Sequence, residues 1–458
     1  MGIKGLLEQL KSITKKVHIS EFRGKRVAID AHCWLHRGAY GCGKELYQGI
    51  DTTKYISFML NMIHILRSNG IESILIVFDG IPLPCKAETN NKRTLERQQQ
   101  LLLAKSAEIS GDHDQAHNHY QRSISITYDM IQKVIIALDK TGVYYIVAPY
   151  ETDAQLAYLS KNNIVDVIIT EDSDAIVYGC HHILYKLNRQ GYGEYIEYKN
   201  LTINQSISFQ NWSTEQFQLF CCLSGCDYIT NIRNIGIKTA YKIVNTYKTL
   251  DNVLQHLSFI PTITENFGVF RIQLIKALLT FQSQTIFNPY TKQTEPLNPI
   301  QLTYIHKLYN ITTSSATTST TTTTTPNIGN NDTIHSKQLT PLSLVDTDYN
   351  FLGPQLDSSV VESIVTGKID PNSLVESMYN TTIPITTIMP TASTVQQSTI
   401  KQHNTTTNNN SSKDNIQHTG YILPITSNTT GSTLPTIDNS SIVWAASDEP
   451  IYHMSRAS

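Results

Sequence analysis

The chain has 458 residues, a net charge of −2 and 16% charged residues. Length alone allows two or three domains, but residues 311–458 are dominated by Thr, Ser, Asn, Gln and Pro, with unbroken Thr at 320–325, a composition that cannot bury enough apolar surface to offset chain entropy. One folded unit over about 1–310 is expected, no apolar run is long enough to span a bilayer, and the seven cysteines, none in paired CxxC spacing, argue against a zinc module or disulfide framework and for the reduced thiols of an intracellular protein.

In chain order, residues 27–29 read as a strand ending at Asp30. Residues 53–69 carry Ile56, Met59, Leu60, Ile63 and Leu66 at helical spacing and stop at Gly70. Residues 74–78 are a second strand, ending at Asp79. Residues 86–122 are polar and read as helices outside the main core. A helix at 127–141, capped by Thr127, precedes a strand at 144–147, then Glu151 and Asp153. A helix near 152–162, a strand at 166–169 before Asp172 and Asp174, and a strand near 183–187 follow. This alternation predicts an α/β fold, a mostly parallel central sheet with helices on both faces. From about 214 onward the chain reads as helical. Asp227 precedes a turn and a helix beginning Ile237, Lys238, Thr239, with Gly236 at its entry. Free N–H groups there would suit a phosphate, although an ordinary helix start is the better explanation of one glycine taken alone. In the polar C-terminal part, Ser359 and Glu362 form a capping-box pattern and Gly367 a stop signal. They predict a helix at 359–366, with docking on the core and a transient helix both left open. Residues 311–345 read as a low-complexity loop and 380–458 as a disordered tail.

Short β-branched runs that stop at an acid deliver carboxylates to the carboxyl edge of a sheet, where ligands sit in open α/β folds. Asp30, Asp79, Glu151, Asp153, Asp172, Asp174 and Asp227 are thus expected in one pocket. Two carboxylates ~5 Å apart repel by roughly 3 kcal/mol at an effective dielectric of ~20, so seven need cations, and oxygen-only ligands select Mg²⁺ or Mn²⁺. Paired hard ions suit phosphodiester hydrolysis by water, with no side-chain nucleophile. Residues 1–310 carry 31 Lys/Arg against 27 Asp/Glu, a basic body that fits a polyanion. Lys86, Arg93 and Arg97, spaced seven and four apart, share one helical face starting just after Asp79. They are placed to neutralise charge on a scissile phosphate. His32 and His36 are candidates for base or phosphate contact.

These residues resemble the flap endonuclease superfamily of structure-specific 5′ nucleases, and within it the exonuclease 1 branch. The start MGIKGLL, DAHCWLH at 30–36, VFDG at 77–80, APYETDAQLAYL at 148–159, TEDSD at 170–174 and LSGCDY at 223–228 carry the resemblance in order and spacing. It implies a PIN-like nuclease core with an N-terminal nuclease region (1–99), a helical arch (about 84–130), an internal nuclease region (138–230), a helix–two-turn–helix (about 225–260) and a wrap-back extension at 350–375. It also implies that the seven acids hold two Mg²⁺ ions and that Lys86 and Arg93 contact the scissile phosphate. Gly236, Ile237, Lys238 and Thr239 would grip the uncleaved strand, with K⁺ in the turn. The implied activity is Mg²⁺-dependent 5′→3′ exonucleolysis of double-stranded DNA at ends, nicks and flaps, by a nuclear monomer serving mismatch repair and end resection. Mismatch-repair proteins and a sliding clamp are implied as partners by the resemblance alone. A replicative flap endonuclease and a non-catalytic DNA-binding scaffold are the alternatives. Three departures stand out: His32 for a usual Tyr, Thr152 for a common Ala, and Asn234 for a frequent Gly.

Overall fold

A computed structural model of the chain describes residues 2–309 and 349–375. The loop expected at 311–345 and the tail expected at 380–458 lie outside the described residues. The centre is a sheet of seven strands: β1 (Lys15–His18), β2 (Arg26–Asp30), β3 (Ser73–Phe78), β4 (Tyr144–Val147), β5 (Val167–Thr170), β6 (His182–Tyr185) and β7 (Tyr192–Glu197). Their order is β1-β7-β6-β5-β2-β3-β4. Strands β2 to β6 are mutually parallel, and β7 pairs antiparallel with both β6 and β1.

The parallel strands are buried on both faces. Ala28, Leu75 and Val77 enter one core, while Val27, Ile29, Ile74, Ile76 and Phe78 enter the other. Each strand therefore reads as a continuous apolar run, the usual signature of a covered parallel sheet. Helices Lys54–Ser68 and Tyr128–Thr141 cover one face, the second with Thr127 Oγ1 accepting the Met130 N–H at 3.3 Å. Four strands carry no such signal. β1 and β7 are polar and half-exposed, and the hairpin β8 (Thr285–Asn288) and β9 (Gln293–Pro296) falls in the stretch expected to be helical. Among the described residues no helix is long and apolar enough to cross a membrane, and all seven cysteines are free thiols.

The polar 86–122 stretch forms two helices, Ala87–Ile109 and His113–Arg122, turning at Gly111 (φ 77°). Their shared core is small: Ala104, Ala116 and Tyr120, with Tyr47 stacked on Tyr120 at 5.5 Å. The C-terminal segment returns to the body. Helix Ser358–Val365 buries Val361, Ile364 and Val365, and Phe351 and Leu352 are buried ahead of it. Tyr128, Gln132 and Tyr145 donate to the carbonyls of Gly367, Gly367 and Thr366 at 3.1, 2.8 and 3.1 Å. The expected capping box is absent. Asp357 is the N-cap, with no side-chain bond, because the helix starts one residue before Ser359. The stop is as the sequence implies, with Gly367 left-handed at φ 68°.

Candidate active site

The acids reach one edge of the sheet through the strand ends and the turns beyond them. Asp30 closes β2 and caps helix Ala31–Ala39, its Oδ1 accepting the N–H groups of His32 and Cys33 at 3.0 and 3.3 Å. Its Oδ2 accepts from Cys33 Sγ (2.8 Å) and Thr170 Oγ1 (3.0 Å). Asp79 follows β3, and its Oδ1 accepts the Thr152 N–H at 2.8 Å. That bond comes from the backbone, so it does not depend on residue 152 being a threonine. Glu151 is the N-cap of helix Thr152–Lys161, which carries Asp153 in its first turn. Beyond β5, the Asp174 N–H donates to Asp172 Oδ1 at 3.0 Å. Asp227 follows helix Thr214–Ser224.

A cavity of about 290 Å³ is lined by Asp30, Asp79, Glu151, Asp153 and Asp172 together with His32, His36, Lys86, Arg93 and Arg97. Asp174 and Asp227 do not line it directly. Asp174 is joined to it through Asp172, and Asp227 through Lys86. Lys86 Nζ lies 2.5 Å from Glu151 Oε1 and 3.2 Å from Asp227 Oδ2. Arg93 Nη2 lies 2.8 Å from each Asp227 oxygen. Tyr228 donates its hydroxyl to Glu151 Oε2.

The electrostatics divide this cluster. Burial, and then repulsion from Asp172, Asp30 and Asp174, hold the Asp153 carboxyl well above the usual carboxylate range. Burial and Asp172 do the same to Asp174, and burial with Asp79 raises Asp30. Asp227 behaves oppositely: against the effect of burial, Lys86 and Arg93 lower it. Despite its own burial, Lys86 is held well above the usual ammonium range by Glu151, Asp227 and Asp153. Among the described residues no three Asp, Glu, His or Cys groups stand close enough to enclose an ion. The donor set still fits a hard divalent cation. It is all oxygen, largely buried, and strained by like charge, and the buried Asp153 Oδ1 and Asp174 Oδ1 have no hydrogen-bond partner. Asp30, Asp79, Glu151, Asp153, Asp172, Asp174 and Asp227 are the residues that would hold such cations.

The XPG N-terminal domain matches residues 1–100, and the XPG I-region matches residues 142–227. The chain is 38% identical to exonuclease 1 of Xenopus laevis over 65% of this chain and 41% of that protein. It is 32% identical to exonuclease 1 of Arabidopsis thaliana over 81% and 44%. It is 35% identical to the DNA damage-inducible protein DIN7 of Saccharomyces cerevisiae over 66% and 70%. The chain belongs to the exonuclease 1 group of the XPG family. It spans about two fifths of the length of the two exonuclease 1 relatives. Among solved structures, the catalytic core of Rad2 in complex with a DNA substrate aligns at 21% identity and a TM-score of 0.44, over 60% of this chain and 80% of that one.

Two of the XPG I-region acids, Glu151 and Asp153, are placed by a contact that the sequence does not announce. The Gly80 N–H donates to Tyr150 O at 2.6 Å, and a Cβ at Gly80 would stand 1.9 Å from Ala148 O and 2.6 Å from Pro149 O. Gly80→Ala is expected to force apart the exits of β3 and β4, costing about 1–3 kcal/mol. It should appear as a lower Tm together with reduced activity; an unchanged melting curve would contradict this. Other supports invisible in the sequence pattern are Thr170 and Cys33 on Asp30, and Tyr228 on Glu151. Tyr228 in turn shares a hydrogen bond with Tyr178 at 2.7 Å.

The candidate nucleic-acid residues have differing settings. His32 Nδ1 lies 3.4 Å from both the backbone N and Oδ2 of Asp79. It is tied to the acid rather than free to stack on a base. His36 is half-buried, and burial, His32 and Arg97 lower its pKa to about 4, leaving it neutral near pH 7. Gly236, Ile237, Lys238 and Thr239 are away from the cavity lining, at the start of helix Ile237–Tyr247. Ala240 makes the first bond back, to Gly236 O, so the three N–H groups before it are the unsatisfied donors of a helix start. A Cβ at Gly236 would meet nothing within 4 Å, and its backbone is extended rather than left-handed. The left-handed residue of the turn is Asn234, at φ 67°, a conformation Asn tolerates with little cost.

Proposed function

We propose that this chain is a Mg²⁺-dependent 5′→3′ exonuclease acting on double-stranded DNA, which also cuts 5′ flaps and works in mismatch repair and end resection in the nucleus. The observation that carries this reading is a pocket in which buried carboxylates at the ends of parallel strands meet Lys86 and Arg93 from the base of the helix pair. Two Mg²⁺ ions held by the seven acids would supply charge neutralisation and water activation. The side chains do the rest. Lys86 and Arg93 present positive charge where the scissile phosphate would lie, and Asp30, Asp79 and Glu151 are locked in place by hydrogen bonds before substrate arrives. The N–H groups at 237–239, with Lys238, are suited to the phosphates of the uncleaved strand, and the turn before them is the place for K⁺.

The test is a time course on end-labelled duplex, comparing 3′- and 5′-labelled strands. Cleavage should begin at the 5′ end, require Mg²⁺ and stop with EDTA; activity indifferent to EDTA would overturn the proposal. Lys86→Ala and Arg93→Ala should each lower the single-turnover rate by about 10²–10³-fold, the range for removing a preorganised electrostatic donor, with much smaller changes in duplex affinity. Equal losses of rate and affinity would refute their assigned role.

A further inference from the structure

We infer that the returning C-terminal segment supplies part of the substrate site: its turn at 370–375, with Ile126 and Ile131, makes an apolar wall that receives the base of the nucleotide being released. This rests on the exonuclease reading above and adds to it the place where the released nucleotide lies.

The cavity has two unlike sides. One is the charged side already described. The other is lined by Ile126, Ile131, Val147, Pro371 and Asn372, which come from separate segments and carry no ionisable side chain. Pro371 is buried although it stands in a turn, while Asn372 and the residues up to Val375 are exposed. A phosphate finds no partner on such a side. A nucleobase does, because every base has an apolar face, and a wall without charged groups accepts all four. That suits an enzyme that removes nucleotides whatever their sequence. None of Gly236, Ile237, Lys238 and Thr239, the candidate grip on the uncleaved strand, lines the cavity. With the retained strand gripped elsewhere, the space against the wall is left to the nucleotide at the free 5′ end.

The wall is held in place at several points. On the approach to Pro371, the Gly367 carbonyl accepts from Tyr128 and Gln132 at 3.1 and 2.8 Å. Asp370 then organises the turn. Its Oδ1 accepts the Asn372 N–H and its Oδ2 the Ser373 hydroxyl, both at 2.9 Å. Its N–H donates to Val375 O at 2.8 Å. These bonds fix Pro371 against the cavity before any substrate arrives.

The experiment uses two duplexes that differ only at the 5′-terminal position, one with a normal nucleotide and one with an abasic tetrahydrofuran residue. It measures kcat/KM for release of that terminal residue by the full chain in Mg²⁺. Wild type should prefer the base-bearing end by about fivefold, the low end for a base packed against a protein surface. Pro371→Ala and Ile126→Ala alter the wall from two different segments, and each should bring the preference below about twofold as the base loses its contact. Thermal melts check that the variants are folded. A purely structural role for the turn would lower both rates together and keep the wild-type ratio. Equal rates on the two ends in wild type, or the wild-type ratio in a folded variant, would overturn the inference and leave the exonuclease reading standing. No release from either end by wild type would overturn both.

Discussion

Asp174→Ala should abolish cleavage, with a rate loss of at least about a thousandfold, while duplex affinity changes by no more than a few fold. The residue lies beyond β5 with Oδ1 unpartnered, its N–H bonded to Asp172. It is not part of helix Ile237–Tyr247, the candidate duplex grip. Its charge costs the fold stability. Burial and Asp172 raise its pKa in the folded state, so the folded chain binds the proton more tightly than the unfolded chain. That contribution is complete below the unfolded value of about 4 and is lost as pH rises toward the elevated folded value. Asp174→Asn in EDTA should therefore melt at or above the wild-type temperature at pH 8, with the difference closing toward pH 4. A variant less stable than wild type at pH 8, or one that still cuts DNA, would contradict this account.

Removing residues 349–458 should prevent the chain from folding to a soluble monomer. Phe351, Leu352, Val361, Ile364 and Val365 are each at most 6% exposed. At roughly 1.5–3 kcal/mol per buried side chain, an upper bound for the set is about 8–15 kcal/mol, as large as the whole stability of a typical domain. The segment also ties the two cores together, since Val361 and Val365 belong to one and Ile364 to the other. Ile364→Ala alone should cost about 2–5 kcal/mol, measurable by urea denaturation. A shortened chain ending at 348 with a cooperative melt near that of the full chain would refute the assignment.

The sheet and its acids were legible for the same reason. Parallel strands covered on both faces are unbroken apolar runs, and each run stops where the chain leaves the core at an acid. β1 is an edge strand and β7 its inner neighbour, both rich in Lys, His, Tyr or Glu, and β8–β9 is a short hairpin against helix Thr152–Lys161; neither pair produces a periodic signal. The helix at 358–365 was legible from its apolar face and Gly367, but Ser359 was misread as its cap because a Ser–x–x–Glu pattern does not reveal that the preceding Asp357 begins the turn. In the site, the positions of the acids other than Asp227, which follows a helix, could be read from strand ends and the turns after them. Their partners could not. The Lys86–Glu151 bridge, the Tyr228 hydroxyl and the close pass of Gly80 over Ala148 join residues that only the folded chain brings together.

The strand order has a further consequence. β4 is the outermost strand on its side of the sheet, and helix Ser358–Val365 packs against it. A bare strand at a sheet margin offers unpaired backbone groups to any neighbouring chain. Truncated molecules would thus be prone to join through β4 into aggregates, and the returning C-terminal segment makes the sheet's last strand a boundary rather than a template.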